Sequence, residues 1–213
     1  MKTIYSGPGF GHSNYWQLDY FANGSMQTDE AYVSGDNQNN RQQAEYRILS
    51  TNENVTRNWV AIYELINNCN KVLNYVDGIQ DPALTAQRKA EMKAEAAIIR
   101  ALYYFHAVQL WGDVPIVSKS IIAVTDENFE EVYSQIYPER KSQEEVYSFI
   151  ISDLEGALGA APASSISKYR ATQGVAYALL AKVYATKPNP DYTKVIQYAD
   201  QLKGQYSLLS NYG

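Results

Sequence analysis

The sequence predicts an all-α fold: stacked antiparallel helical hairpins behind a loop-rich N-terminal segment. Three observations predict it. From Thr56 onward, apolar residues recur at helical spacing in successive stretches. Ser, Thr, Asp, Gly and Pro stand where those stretches begin and end. Before Thr56 the chain is polar, rich in Gly, Asn and Gln, and without a clear period. The expected division is residues 1–55 for the N-terminal segment and residues 56–213 for the helical region.

Within residues 1–55, the run DNQNNRQQ (36–43) has almost no apolar content and reads as loop or a solvated helix start. The first long helix is expected over 56–76, with Trp59, Ile62, Tyr63, Ile66, Cys69, Leu73 and Val76 on one stripe. Cys69 on that stripe reads as an inert core thiol. Asp77-Gly78 ends this helix, and Asp81-Pro82 opens the next, expected over 83–111. Its apolar face is Met92, Ile99, Leu102, Tyr103, His106 and Leu110. Gly112 reads as its left-handed cap, and Pro115 forbids continuation.

Residues 114–124 read as extended chain with an edge strand, and residues 125–141 as an acidic, Tyr-rich loop. Ser142 through Glu145 is a capping box opening a helix over 142–160, with Val146, Phe149, Ile150, Leu154, Ala157 and Leu158 inward. Thr172 is expected to cap a fourth helix, 172–186, whose Gly174, Ala178 and Ala181 allow a close neighbour. Pro188 and Pro190 form a turn, and Asp191 caps a fifth helix, 191–203, with Val195, Ala199 and Leu202 inward and Gly204 as its stop. The last two helices lie antiparallel across so short a turn, in the register of a degenerate tetratricopeptide unit. The outer face of that last hairpin is expected to be open, with Leu202, Leu208 and Leu209 exposed and some tendency to self-associate.

Composition excludes several functions. The formal net charge of −5 over 213 residues gives no electrostatic grip on nucleic acid or anionic lipid. The single cysteine excludes an internal disulfide framework and a Cys-rich zinc site. No run approaches the ~20 apolar residues of a membrane helix, and the N-terminus, broken by Gly-Pro-Gly, is not a signal peptide.

The usual catalytic signatures are absent. The two histidines, His12 and His106, form no HExxH and no zinc pair. Gly11-His12-Ser13 lacks the second glycine of a nucleophile elbow. Gly7-Pro8-Gly9-Phe10-Gly11 lacks the Lys-Ser/Thr of a phosphate loop. Asp36, Gln38 and Asn40 start like a calcium loop, but Arg41 occupies the required glycine position. The reading is a non-enzyme with no cofactor and no metal.

Residues 94–117, AEAAIIRALYYFHAVQLWGDVPIV, resemble the most recognisable segment of the SusD/RagB family. Three further blocks agree in order. Trp59 through Ile66, with Asn70 and Leu73, is similar to the family's Trp…Tyr…Ile…Asn…Leu helix. Ser142 through Leu158 resembles its Ser-Xaa-Xaa-Glu-Val-Tyr…Asp-Leu…Ala-Leu helix. Arg170-Ala-Thr172 through Tyr184, then Tyr206-Ser-Leu208, resembles its Arg-Xaa-Thr…Val-Tyr block and the Gly-Xaa-Tyr-Xaa-Leu that follows. On the residues alone, Arg100 is expected to pair with a carboxylate or cap a loop, and Asp113 to accept backbone amides.

The resemblance implies a non-catalytic glycan-binding lipoprotein of the Bacteroidetes outer membrane. It would be surface-exposed, lipid-anchored in its full-length form, and partnered with a SusC-like TonB-dependent transporter. Glycan, an oligosaccharide, would be the ligand; nucleic acid would not be a partner, and the membrane would be met only through a lipid anchor absent from this chain. The helical region 56–213 would be a SusD-like scaffold truncated at its C-terminus. Glycan contacts are assigned to aromatic and polar groups of the N-terminal segment: Trp16, Tyr32, Asp36, Arg41 and Tyr46. Tyr20, Asp29 and Asn37 stand among them. The alternative is a helical-repeat protein-interaction scaffold with no ligand site of its own.

Overall fold

The structure, a computed structural model, describes residues 1, 4–5, 15–33, 35–121, 123–164, 170–207 and 211. The glycine-rich and His12 motifs of residues 6–14, and Leu208 and Leu209, lie outside the described residues. The fold is helical. A π-helical turn at Tyr15–Asp19 leads into α1 (Tyr20–Ser25), followed by α2 (Gln38–Ala44), α3 (Glu53–Tyr75) and α4 (Ala86–Trp111). Then come α5 (Phe129–Ile136), α6 (Gln143–Ala157), α7 (Gln173–Thr186) and α8 (Tyr192–Asp200). Two short strands, β1 (Val114–Pro115) and β2 (Arg140–Lys141), pair antiparallel. Contacts divide the chain into two units, residues 2–65 and residues 66–213 with Met1. No helix among the described residues is long and apolar enough to cross a membrane.

In the unit of residues 66–213, α4 packs along α6, α6 against α7, and α7 against α8. α4 is central. Residues 94–101 are buried on every side of the helix, and Tyr103, Tyr104, Phe105, Ala107 and Val108 continue that core. The expected single apolar face is therefore corrected: neighbours surround α4, and Leu110, expected inward, is exposed. Its start is corrected as well. Asp81 Oδ1 accepts the Ala83 amide and its carbonyl the Leu84 amide, which folds 81–84 into a turn. The helix begins after Thr85, whose hydroxyl accepts from Arg88 N–H at 3.2 Å. At the other end, Gly112 has φ 71° and ψ −117°, not the left-handed helical conformation expected but a region equally closed to residues with a Cβ.

The recognisable sequence blocks are bonded to one another. Arg100 in α4 pairs with Asp153 in α6 and donates to Asn70 in α3. Fully buried Glu95 in α4 accepts both arms of Arg170 from the segment before α7, at 2.6 and 3.0 Å, and Arg88 from two turns earlier on the same face of α4. Asp113, past the end of α4, accepts the Gln143 amide at 2.9 Å at the start of α6. The capping box forms as expected: Glu145 N–H donates to the Ser142 hydroxyl, and the Ser142 amide donates to Glu145.

Three further expectations are revised. Residues 125–141 are not all loop, because α5 occupies Phe129–Ile136 and β2 closes the segment onto β1. Thr172 precedes α7 but makes no side-chain cap; the Gln173 amide donates instead to the Pro162 carbonyl. In α8, Val195 is only half-buried, Ala199 is exposed and Tyr198 turns inward. The Tyr198 ring stacks on Tyr184 and Tyr177, and its hydroxyl donates to Glu155 at 2.6 Å. A buried tyrosine with a satisfied hydroxyl outweighs a small alanine as the packing residue. Gly174 is buried as expected, against Tyr206, whereas Ala178 is exposed. Leu202 is half-buried.

Cys69 is buried, and burial pushes its thiol up to about 12. It is a core residue rather than a reactive one. His106 is half-buried, and desolvation with Lys182 nearby lowers it to about 4.

Candidate functional site

All five residues assigned to ligand lie in the unit of residues 2–65. The segment that reads as loop or a solvated helix start forms α2, and it is organised by side-chain amides. Asn37 caps α2 by accepting the Asn40 amide at 3.1 Å. Gln43 is buried and donates to Asn23 Oδ1 at 2.8 Å, while its own Oε1 accepts from Asn54 Nδ2 at 2.9 Å. The same Asn54 amide reaches Asn40 Oδ1 at 2.7 Å. Asn52 donates to the Asn39 carbonyl and to Gln42 Oε1. Arg57 forks onto buried Asp19, Nε to Oδ2 at 2.9 Å and Nη2 to Oδ1 at 2.7 Å, and Nη2 also reaches Asn54. A helix without an apolar face is thus held against the first turns of α3 by satisfied buried amides, each of which would cost about 1–3 kcal/mol if left unpaired.

This frame positions three of the five residues around one helix. Asp36 is exposed just before α2. Arg41 on α2 donates to the Gly35 carbonyl at 2.8 Å, and Gly35 has φ 85°. Tyr46, just past the helix, takes a left-handed φ of 55° and donates its hydroxyl to the Gln27 carbonyl, yet its ring is 70% exposed. The other two are elsewhere in the unit. Trp16 is half-buried in a ring cluster, 5.2 Å from Tyr15 and 5.5 Å from Tyr20 between centroids. Tyr32 is 92% exposed. Past the end of α2, a tyrosine fixed through its hydroxyl with its ring in water offers an apolar face, while Asp36 and Arg41, toward the start of the helix, offer directional polar groups. Among the described residues no three His, Cys, Asp or Glu side chains converge as metal ligands. The sequence reading missed Gln43, Asn52, Asn54 and Asp19 as positioning residues. Their only signal was the density of amides, which loops share.

A family model described as "Starch-binding associating with outer membrane" matches residues 11–185. The chain belongs to the SusD-like family. A SusD-like protein of Bacteroides ovatus is 28% identical over 178 residues, which are 78% of this chain and 31% of the relative. SusD-like protein P2 of Formosa agariphila is 30% identical over 141 residues, 66% of this chain and 25% of the relative. The chain therefore spans 25–31% of the length of these SusD-like relatives. A solved structure described as a complex with xylogluco-oligosaccharide is 26% identical with a TM-score of 0.75, over 95% of this chain and 40% of that one. A SusD superfamily protein from Bacteroides vulgatus, 18% identical, has a TM-score of 0.80 over 98% of this chain and 43% of that one. That second likeness is one of fold, and it agrees with the stacked helical hairpins of the SusD-like scaffold.

Proposed function

We propose that this chain is part of a non-catalytic glycan-binding surface lipoprotein that captures oligosaccharide for a SusC-like, TonB-dependent outer-membrane transporter. In this reading Trp16, Tyr32, Asp36, Arg41 and Tyr46 contact the glycan, and the helical unit serves as the scaffold toward the transporter. One observation carries it: Asp36, Arg41 and Tyr46 are presented around α2 by a frame of buried amides, with the Tyr46 ring held in water. Pyranose rings offer C–H faces to aromatics and hydroxyls to charged groups, so this display suits them. Membership of the SusD-like family and the xylogluco-oligosaccharide bound to one similar structure support the ligand class.

Calorimetry with xyloglucan oligosaccharides tests the reading, comparing the protein with its Tyr32→Ala and Arg41→Ala variants. Loss of several-fold in affinity in either variant is expected. Unchanged binding in both removes these residues from the site.

A second reading, a protein-interaction scaffold without its own ligand, is favoured by one feature. Tyr192 and Ile196 stand exposed one turn apart on α8, forming an apolar strip that a partner could cover. Absence of binding to any glycan on an array, with retained co-purification of a barrel protein, would favour it.

A further inference from the structure

A row of exposed rings runs along α5. Phe129 and Tyr133 fall at i and i+4 on one face of the helix, and Tyr137, the residue that caps its C-terminal end, continues the row. Adjacent centroids are 5.6 Å apart for Phe129 and Tyr133, and 5.1 Å for Tyr133 and Tyr137. Exposure rises along the row, from 41% to 51% to 66%. The helix is anchored by the side adjoining the row, through buried Val132 and half-buried Ile136. Below it, β1 and β2 pair Val114 with Lys141 and Pro115 with Arg140, which ties together the two ends of the segment that carries α5. The row is therefore a fixed feature rather than a loose tail. Three contiguous rings held in water forgo burial that an ordinary surface helix avoids by using charged side chains.

The geometry also limits what fits. The planes of neighbouring rings turn by 65° and then 47°, so the row is not one flat apolar face. It suits a ligand built of small rigid units joined by rotatable linkages, each unit meeting one ring. The phenol hydroxyls of Tyr133 and Tyr137, on the exposed side of the row, can bond the polar rim of such a ligand. Asp126, Glu127, Glu130 and Glu139 are exposed around the row, a charge pattern that repels anions.

We propose that Phe129, Tyr133 and Tyr137 form a binding site for a neutral oligosaccharide, separate in sequence from the residues between Trp16 and Tyr46. The inference shares its ligand class with the function proposed above and none of its residues.

The test is NMR of the intact chain with labelled Phe, Tyr and Trp rings, titrated with millimolar xyloglucan oligosaccharide and, in parallel, with oligogalacturonate as the anionic counterpart. Saturable shifts of the Tyr133 and Tyr137 rings with the neutral sugar only are expected. Tyr133→Ala and Tyr137→Ala should each weaken binding about two- to tenfold, while Tyr133→Phe, which keeps the ring, should bind nearly as the parent. Because these side chains are exposed, the variants keep the helical circular dichroism of the parent. Rings that stay still, or that shift equally with the anionic sugar, overturn the inference. So do shifts that track protein concentration without sugar, which would mean that a second copy covers the row. Movement at Trp16 or Tyr32 alone sinks this site and leaves the proposed function standing. Movement at α5 alone does the reverse for the N-terminal residues, and stillness at both removes both.

Discussion

Arg100 forks onto Asp153, Nε to Oδ2 and Nη2 to Oδ1, both at 2.7 Å, while Nη1 donates to Asn70 Oδ1 at the same distance. One guanidinium therefore joins α3, α4 and α6, with its carbon 4.9 Å from the centre of the Phe149 ring. Both charged groups are largely buried, and desolvation raises the Asp153 carboxyl against the opposing pull of Arg100. The pair holds because each of the three guanidinium nitrogens donates to an oxygen, two of them to the carboxylate. Arg100→Ala should cost about 3–5 kcal/mol in urea unfolding, since it strands a buried carboxylate. A double Arg100→Leu, Asp153→Leu variant should recover much of that loss.

His106 makes stability depend on pH. Its folded value near 4 lies below the ordinary 6.5, so the unfolded chain binds the proton more readily between those values. Its contribution is complete above about pH 6.5 and is lost as pH falls through about 4. Because the ring is half-buried, the loss should be about 2 kcal/mol rather than the full shift. A His106→Gln variant should show a flatter stability profile across that window than the parent.

At the start of α6, Ser142→Ala or Glu145→Ala should each cost about 1 kcal/mol, because each removes one arm of the reciprocal cap. The Ser142 hydroxyl bond, the larger of the two that hold the Glu145 carboxyl below its usual range, vanishes in Ser142→Ala while the backbone N–H bond stays, so the Glu145 titration in NMR should move part of the way toward its ordinary value.

Two glycines should respond differently to alanine. At Gly112, φ 71° and ψ −117° exclude a Cβ without strain, so Gly112→Ala should cost about 1–3 kcal/mol. At Gly174 an added Cβ meets only the end of the Tyr206 side chain, which is exposed and can swing away. Gly174→Ala should change the melting temperature far less.

Asn54→Ala should free α2 without unfolding the remainder of the chain. It removes both donors that hold Asn40 and Gln43, and the acceptor used by Arg57. Hydrogen exchange of the α2 amides should rise while that of α4 stays protected.

Where one face is buried and the other wet, the helices were readable from the residues. α3 and α6 have such faces, and the Ser142 box and the Asp191 cap marked two helix starts. α4 was placed but its face was not, because a helix enclosed on all sides has no single stripe to find. α5 was missed although Phe129, Val132, Tyr133, Ile136 and Tyr137 carry a helical period, because the acidic and tyrosine content of 125–141 reads as loop. α2 falls on a stretch that reads as loop or a solvated helix start, and the residues leave the choice between the two open because amides, not apolar groups, hold it. The five assigned contact residues were chosen by type in a segment without a period. Sequence could not tell that Trp16 packs among other rings or that Tyr46 is pinned through its hydroxyl.

The pairing of Val114 with Lys141 and of Pro115 with Arg140 makes the 24 residues between them, 116–139, a closed excursion with fixed endpoints. Lengthening such a loop carries a small entropic penalty, about 0.6 kcal/mol per doubling. The clasp therefore works as a socket. Residues 117–120 are themselves tied to α3 and α4 through Asn70, Asn74, Tyr75 and Tyr104, so it is the stretch beyond Ser120 that can be exchanged, and the surface offered there respecified, while those helices keep their bonds.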